Sequence, residues 1–272
     1  MRRLARWFAV ATLCGAILAG CHDSPPLPLP RKVVDLSPPL TADVDVRRLG
    51  SRTLHFFGTD GHLRITPVLP AESEYAFGVD SIELLSHTGA HLDAPSRLLR
   101  GGAHPAEINL DRLIGRLILA DLRWHDRHTE LQISDLEQTP IAEGDVLVLF
   151  TGYEPPRGDK WPLFAPLSRQ ASEYLAAKRI RALATDLPTI VSYEEIDKRL
   201  HNHQPPEEVW EEYLPLMQAQ IPIIAGLVNL DALGSGEANG ETKPEARMVF
   251  EAFPLPLVEA SGAPVRAAAL IY

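Results

Sequence analysis

Seven short runs of apolar and β-branched residues constrain this chain more than any other feature: Ser81–Leu85, Arg116–Leu122, Asp145–Thr151, Ala182–Thr185, Pro222–Val228, Met248–Phe253 and Arg266–Tyr272. Several are almost wholly apolar where a half-solvated strand would alternate, which calls for a sheet covered on both faces. Helical segments lie between them. The spacing predicts a helix over Arg169–Lys178 capped by Ser168, and another over Tyr193–Leu200, where Ser192 and Glu195 form a capping-box pattern. A third is expected over Glu207–Gln220, with Val209, Tyr213, Leu216 and Met217 at helical spacing and Pro215 bending or shortening it. The fold class is therefore α/β with a mixed sheet in a single domain. Long loops are expected at 41–80, 153–165 and 231–245, and they exceed ordinary connection lengths, so they are candidates to shape a site.

The N-terminus reads as an export signal. Arg2, Arg3 and Arg6 precede an apolar run, Trp7–Leu18, that is too short to span a bilayer. It closes on Leu18-Ala19-Gly20-Cys21, which resembles a lipobox, with cleavage before Cys21 and lipid on its thiol. The alternative is an uncleaved anchor helix carrying a chance cysteine. Loss of residues 1–20 removes three arginines and no acid, so the formal charge goes from -10 to -13. Such acidity argues against nucleic acid, and against adhesion to anionic lipid through a basic patch. Anchoring at a bacterial membrane, facing the periplasm or the cell surface, would then fall to the lipid. Residues 21–32 hold Pro25, Pro26, Pro28 and Pro30 and read as a stiff tether, leaving 33–272 for the domain. Both cysteines, Cys14 and Cys21, fall in the leader or at its cut, so the folded part has no disulfide, thiolate ligand or cysteine nucleophile.

The densest group of potential metal ligands is Ser86-His87-Thr88-Gly89-Ala90-His91-Leu92-Asp93-Ala94-Pro95. Gly89 and Pro95 favour an extended or looping backbone over a helix, and a bend at Gly89 would let His87, His91 and Asp93 converge. Imidazole nitrogen and carboxylate oxygen suit one divalent ion, zinc or manganese first, with a coordination position left for water. The competing reading is a strand end whose polar side chains bond to backbone and bind nothing. His104, His125 and His128 read as ordinary surface residues.

This segment resembles the signature of the cyclase family of metal-dependent hydrolases, which includes bacterial kynurenine formamidases and isatin hydrolases. Further matches run along the chain: Val34-Asp35-Leu36-Ser37, Leu113-Ile114-Gly115, Gly144-Asp145-Val146-Leu147 through Thr151-Gly152-Tyr153, Phe164-Ala165-Pro166-Leu167-Ser168, Gly226-Leu227-Val228-Asn229-Leu230 and Gly262-Ala263-Pro264-Val265-Arg266-Ala267. The resemblance implies a barrel-like sheet flanked by helices, a homo-oligomer, a small-molecule substrate, and a first metal site on His87, His91 and Asp93. It also exposes departures. Arg97 stands where the family has its acid/base histidine, and Tyr213 and Ala225 stand where it has the remaining ligands of a second metal. Ala225 offers no ligand, and a phenol titrates near pH 10, so a single metal is expected. Arg97 stays charged and cannot accept a proton. It could pair with a substrate carboxylate or clamp an internal acid. His201, His203, Glu211 and Glu212 are possible stand-ins, set against the reading of a solvated acidic helix with loop histidines beside it.

Two functions follow. One is a single-metal hydrolase of a small aryl or cyclic amide, lacking an evident proton shuttle. The other is a small-molecule-binding lipoprotein on the same scaffold, its turnover impaired. Trp124, Trp161 and Trp210 could line a pocket or fill the core.

Overall fold

The computed structural model describes residues 28–72, 74, 77–234 and 247–272. The leader, Cys21, most of the proline-rich tether and residues 235–245 of the third expected loop lie outside them. In chain order the elements are β1 (Lys32–Asp35), α1 (Val44–Phe56), β2 (Arg64–Leu69), β3 (Val79–Glu83), β4 (His91–Asp93), β5 (Ile114–Asp121) and α2 (Ile133–Leu136). Then come β6 (Val146–Phe150), α3 (Arg169–Ala177), β7 (Ala182–Thr185), α4 (Tyr193–His201), α5 (Pro206–Val209), α6 (Leu214–Gln218), β8 (Ile223–Ala225), β9 (Met248–Pro254) and β10 (Gly262–Ile271). No described helix is long and apolar enough to cross a membrane.

Seven strands close into a mixed barrel in the order β10-β4-β8-β7-β6-β5-β9, with β9 pairing back to β10 and β1 added alongside β10. β5, β6, β7 and β8 run parallel, and the other pairings are antiparallel. The nearly continuous apolar runs are explained by what lies on each side. In β6, Val146 and Val148 join Leu92, Ile224, Phe250 and Ala267 inside the barrel. Leu147 and Leu149 point the other way, into a layer formed with Ala171 and Leu175 of α3, Ile196 of α4 and Leu216 and Met217 of α6. Strand side chains alternate between faces, and here both faces are dry.

Ser168 caps α3 by accepting from Ala171 N at 3.1 Å, and Ser192 caps α4 by accepting from Glu195 N at 3.3 Å. The third expected helix is two short ones, α5 and α6, separated by a turn at Trp210–Tyr213. Pro206 and Pro215 each sit in a first helical turn, where a missing N–H costs nothing, whereas an interior proline would break the ladder.

The expected loop 41–80 is not a loop. It holds α1, interrupted at Gly50 with φ +76°, which hides the helical period, and the β2–β3 hairpin, a separate two-stranded sheet. Ile65 and Ile82 of that hairpin are exposed, so the run at Ser81–Leu85 marks an arm and not a barrel strand. Residues 153–165 are irregular, as expected.

Candidate metal centre

β4 supplies the site. His91 and Asp93 are two apart on a strand and share one face. Leu92 between them points into the barrel, so this face looks outward beneath the helix layer. β4 is three residues long and lies between β8, where His91 faces Ala225, and β10, where Asp93 faces Gly262. His87 reaches the same place because the chain bends at Gly89, whose φ is +62°. That bend is pinned from α1: Asp45 accepts from Thr88 Oγ1 at 2.8 Å and from Gly89 N at 3.0 Å. Asp45 is buried, and burial raises its pKa in spite of these bonds.

The donor atoms of His87, His91 and Asp93 all lie within 4.8 Å of one another, and no other such group occurs among the described residues. His91 Nδ1 donates to Gly89 O at 2.9 Å, which leaves Nε2 as the open donor atom, 3.5 Å from Asp93 Oδ1. His87 Nδ1 lies 2.8 Å from Asp93 Oδ1, and its Nε2 is 3.0 Å from Ser261 Oγ. The two rings meet edge to face, 5.2 Å between centroids. Burial lowers the pKa of His91 to about 4, and burial together with the Arg97 charge lowers that of His87, so both imidazoles are neutral near pH 7. Neutral imidazole is the ligand form. Two such nitrogens and a carboxylate fit one first-row divalent ion.

Asp93 is only 1% exposed at its side chain and is held from three sides. Arg97 Nη1 donates to Oδ1 at 2.5 Å, His87 faces the same oxygen, and Tyr213 Oη donates to Oδ2 at 2.8 Å. Burial would raise its pKa, but the Arg97 charge and His87 outweigh this and hold it well below the usual carboxylate range. Arg97 answers in kind: burial would discharge it, and Asp93 keeps it charged. Of the two roles open to Arg97, clamping an internal acid is the one in place. Tyr213 is fully buried, 2.7 Å from Thr189 Oγ1, and burial followed by the Asp93 charge raises its pKa well above 10. It is a phenol donor to the carboxylate.

Both degenerate positions therefore border the site, Tyr213 through its hydroxyl and Ala225 through the β8 register. The stand-ins do not reach it. His201 faces solvent and bonds to Asp197 O, His203 is exposed, and Glu211 and Glu212 pair with Arg199. His125, expected at the surface, is turned in with Nε2 3.2 Å from Asp135. Trp124 is 67% exposed, while Trp161 and Trp210 pack against the core. Sequence reasoning missed Asp45, Ser261 and Gly262. Asp45 and Ser261 lie 43 and 174 residues from the side chains they touch, and no local pattern marks them.

A match to the family described as putative cyclase spans residues 34–190. Kynurenine formamidase of Erythrobacter litoralis is 25% identical over 214 residues, 74% of this chain and 86% of that protein. The kynurenine formamidase of Sphingopyxis alaskensis is 30% identical over 182 residues, 66% of this chain and 75% of the relative. Among solved structures, isatin hydrolase A from Labrenzia aggregata bound to benzyl benzoate aligns with a TM-score of 0.67 and 21% identity, covering 97% of this chain and 99% of that one. A potential metal-dependent hydrolase with cyclase activity aligns at TM-score 0.62 and 24% identity, covering 88% and 96%. These structures share the fold, and the family match covers more than half the chain, from β1 through the His87, His91 and Asp93 cluster to the segment beyond β7. The chain belongs to the cyclase family.

Proposed function

We propose that this protein is a hydrolase of a small aryl or cyclic amide that works with one divalent ion, zinc or manganese, on His87, His91 and Asp93. The observation that carries the reading is the convergence within 4.8 Å of His91 and Asp93 on β4 with His87, brought in by the bend at Gly89. Relatives named kynurenine formamidase and the isatin hydrolase fold support the substrate class. A divalent ion held by His87, His91 and Asp93 would supply Lewis acidity and activate water near neutral pH.

The chain's own groups have separable tasks. Gly89 O sets the tautomer of His91, and Tyr213 with Thr189 fixes Asp93. Ser261 steadies His87. Arg97 holds its proton throughout and cannot serve as general base. A positioned acid/base typically contributes about 10²- to 10⁴-fold, so a low turnover is expected.

The missing base also supports a second reading, a small-molecule-binding protein on this scaffold. One experiment separates them: metal content of the purified protein and of Asp93→Ala, coupled to hydrolysis of N-formylkynurenine, isatin and a panel of amides and lactones. Stoichiometric metal that is lost in Asp93→Ala, with turnover, supports the hydrolase. Metal without turnover across the panel supports the binding protein.

We propose further that the protein is exported and lipid-anchored at Cys21, on the strength of the arginine-led apolar leader and the Leu18-Ala19-Gly20-Cys21 motif.

A further inference from the structure

Arg97 does more than replace a base. Its Nη1 stands 2.5 Å from Asp93 Oδ1 and 2.8 Å from His87 Nδ1, two of the atoms a metal ion would use. In a neutral imidazole one ring nitrogen carries an in-plane lone pair and the other a hydrogen. Arg97 Nη1 also lies 3.3 Å from His87 Nε2, so it rests against the ring, off the lone-pair axis of either nitrogen, and acts on His87 as an adjacent positive charge. A divalent ion approaching His87 and Asp93 Oδ1 would meet that charge at contact distance. His87 Nε2 is engaged as well, 3.0 Å from Ser261 Oγ.

Charge leads to the same result. Asp93 is the only carboxylate in the group, and Arg97 already balances it across a buried ion pair. Ala225 adds no charge, and Tyr213 is a neutral donor. A divalent ion entering beside a retained guanidinium would place three positive charges against one negative in a site shielded from water, where such repulsion is weakly screened. The guanidinium is also supported from outside the donor set, with Cζ 5.8 Å from the centre of the Tyr213 ring.

We propose that Arg97 is a built-in cation that competes with a divalent ion for His87 and Asp93, so that loading the site requires the guanidinium to leave Asp93 Oδ1. Metal affinity is then set by how readily Arg97 yields. This inference rests on the metal-site reading above.

The test is calorimetric titration of the chelator-stripped full chain with Mn²⁺ and with Zn²⁺, alongside its melting temperature, for the wild type, Arg97→Met, Arg97→Lys and Asp93→Asn. Arg97→Met should bind each ion at least tenfold more tightly than the wild type and should melt at a lower temperature without metal. Arg97→Lys, which keeps a charge beside Asp93, should bind each ion more weakly than Arg97→Met. Should Arg97→Met fail to fold, Arg97→Gln carries the same comparison. Equal or weaker binding on removal of the guanidinium overturns the competition while leaving the metal site standing. No binding by any of these proteins, Asp93→Asn included, overturns the metal site and the competition with it.

Discussion

Asp93 is a fully buried carboxylate whose two oxygens are divided between different donors, Arg97 and His87 on one and Tyr213 on the other. A buried charge tolerates this only while every partner is present, because an unpaired ion in a dry site carries an uncompensated desolvation cost. Tyr213 is the informative partner to remove, since Phe keeps the ring in the helix layer and deletes only the hydroxyl. Tyr213→Phe should lose about 1.5–3 kcal/mol of stability, the range for hydrogen bonds to charged groups, and urea denaturation at neutral pH would show it as a lower midpoint with an unchanged slope. A loss under 0.5 kcal/mol would mean that Oδ2 finds another donor. Residue types and spacing left His87, His91 and Asp93 open between a metal site and a strand end, and the family resemblance favoured the first. What Arg97 and Tyr213 do with their charge and hydroxyl was not legible there, because each reaches Asp93 through space.

At the scale of elements, the site depends on how closely β10 approaches β4. Gly262 faces Asp93 across that pair, and a methyl on it would overlap the Leu92 carbonyl and lie 2.5 Å from His87 Cε1. Backbone on one side and a ligand ring on the other leave little room to yield. Gly262→Ala should therefore weaken metal binding at least tenfold and lower the melting temperature, and titration calorimetry with circular dichroism would report both. A substitution that leaves His87 free to bind as before would show the β4–β10 contact to be slack. The strands and capped helices were readable from apolar runs and from Ser168 and Ser192, because those signals are local. α1 was not, since Gly50 splits its period, and the break between α5 and α6 arises because Pro206 and Pro215 each take a first-turn position and so begin separate helices.

At the scale of the whole molecule, closure of the barrel brings together segments from both ends of the described chain. β10 pairs with β1, β4 and β9 at once, so the last strand completes the site begun by residues 86–95. Arg97, Ser261 and Tyr213 meet only in the closed form. The proposed anchor belongs to this scale as well, because it determines where the closed domain works. Cys21→Ser should move the protein from the membrane fraction into the soluble fraction, or leave it with an uncleaved leader, and radiolabelled palmitate should be incorporated by the wild type alone. Labelling of the serine variant would sink the assignment. Arg31 N donates to Ile271 O at 2.7 Å and Lys32 opens β1, so the last two residues of the expected tether are tied to β10.

The amino-acid order by itself determined the fold class, the positions of most barrel strands and the caps of α3 and α4, and it marked His87, His91 and Asp93 as a candidate donor set. Each of these is written in neighbouring residues: hydrophobic period, a hydroxyl at a helix start, or ligand types separated by a glycine bend. Tertiary structure decided what those donors face. It placed a guanidinium against Asp93 and His87, a phenol against the other carboxylate oxygen, and α1 against the Gly89 bend. Such partnerships join residues as much as 174 positions apart. They are settled by the geometry of barrel closure and by the cost of leaving a charge unpaired in a dry interior, and neither quantity is carried by any short stretch of the chain.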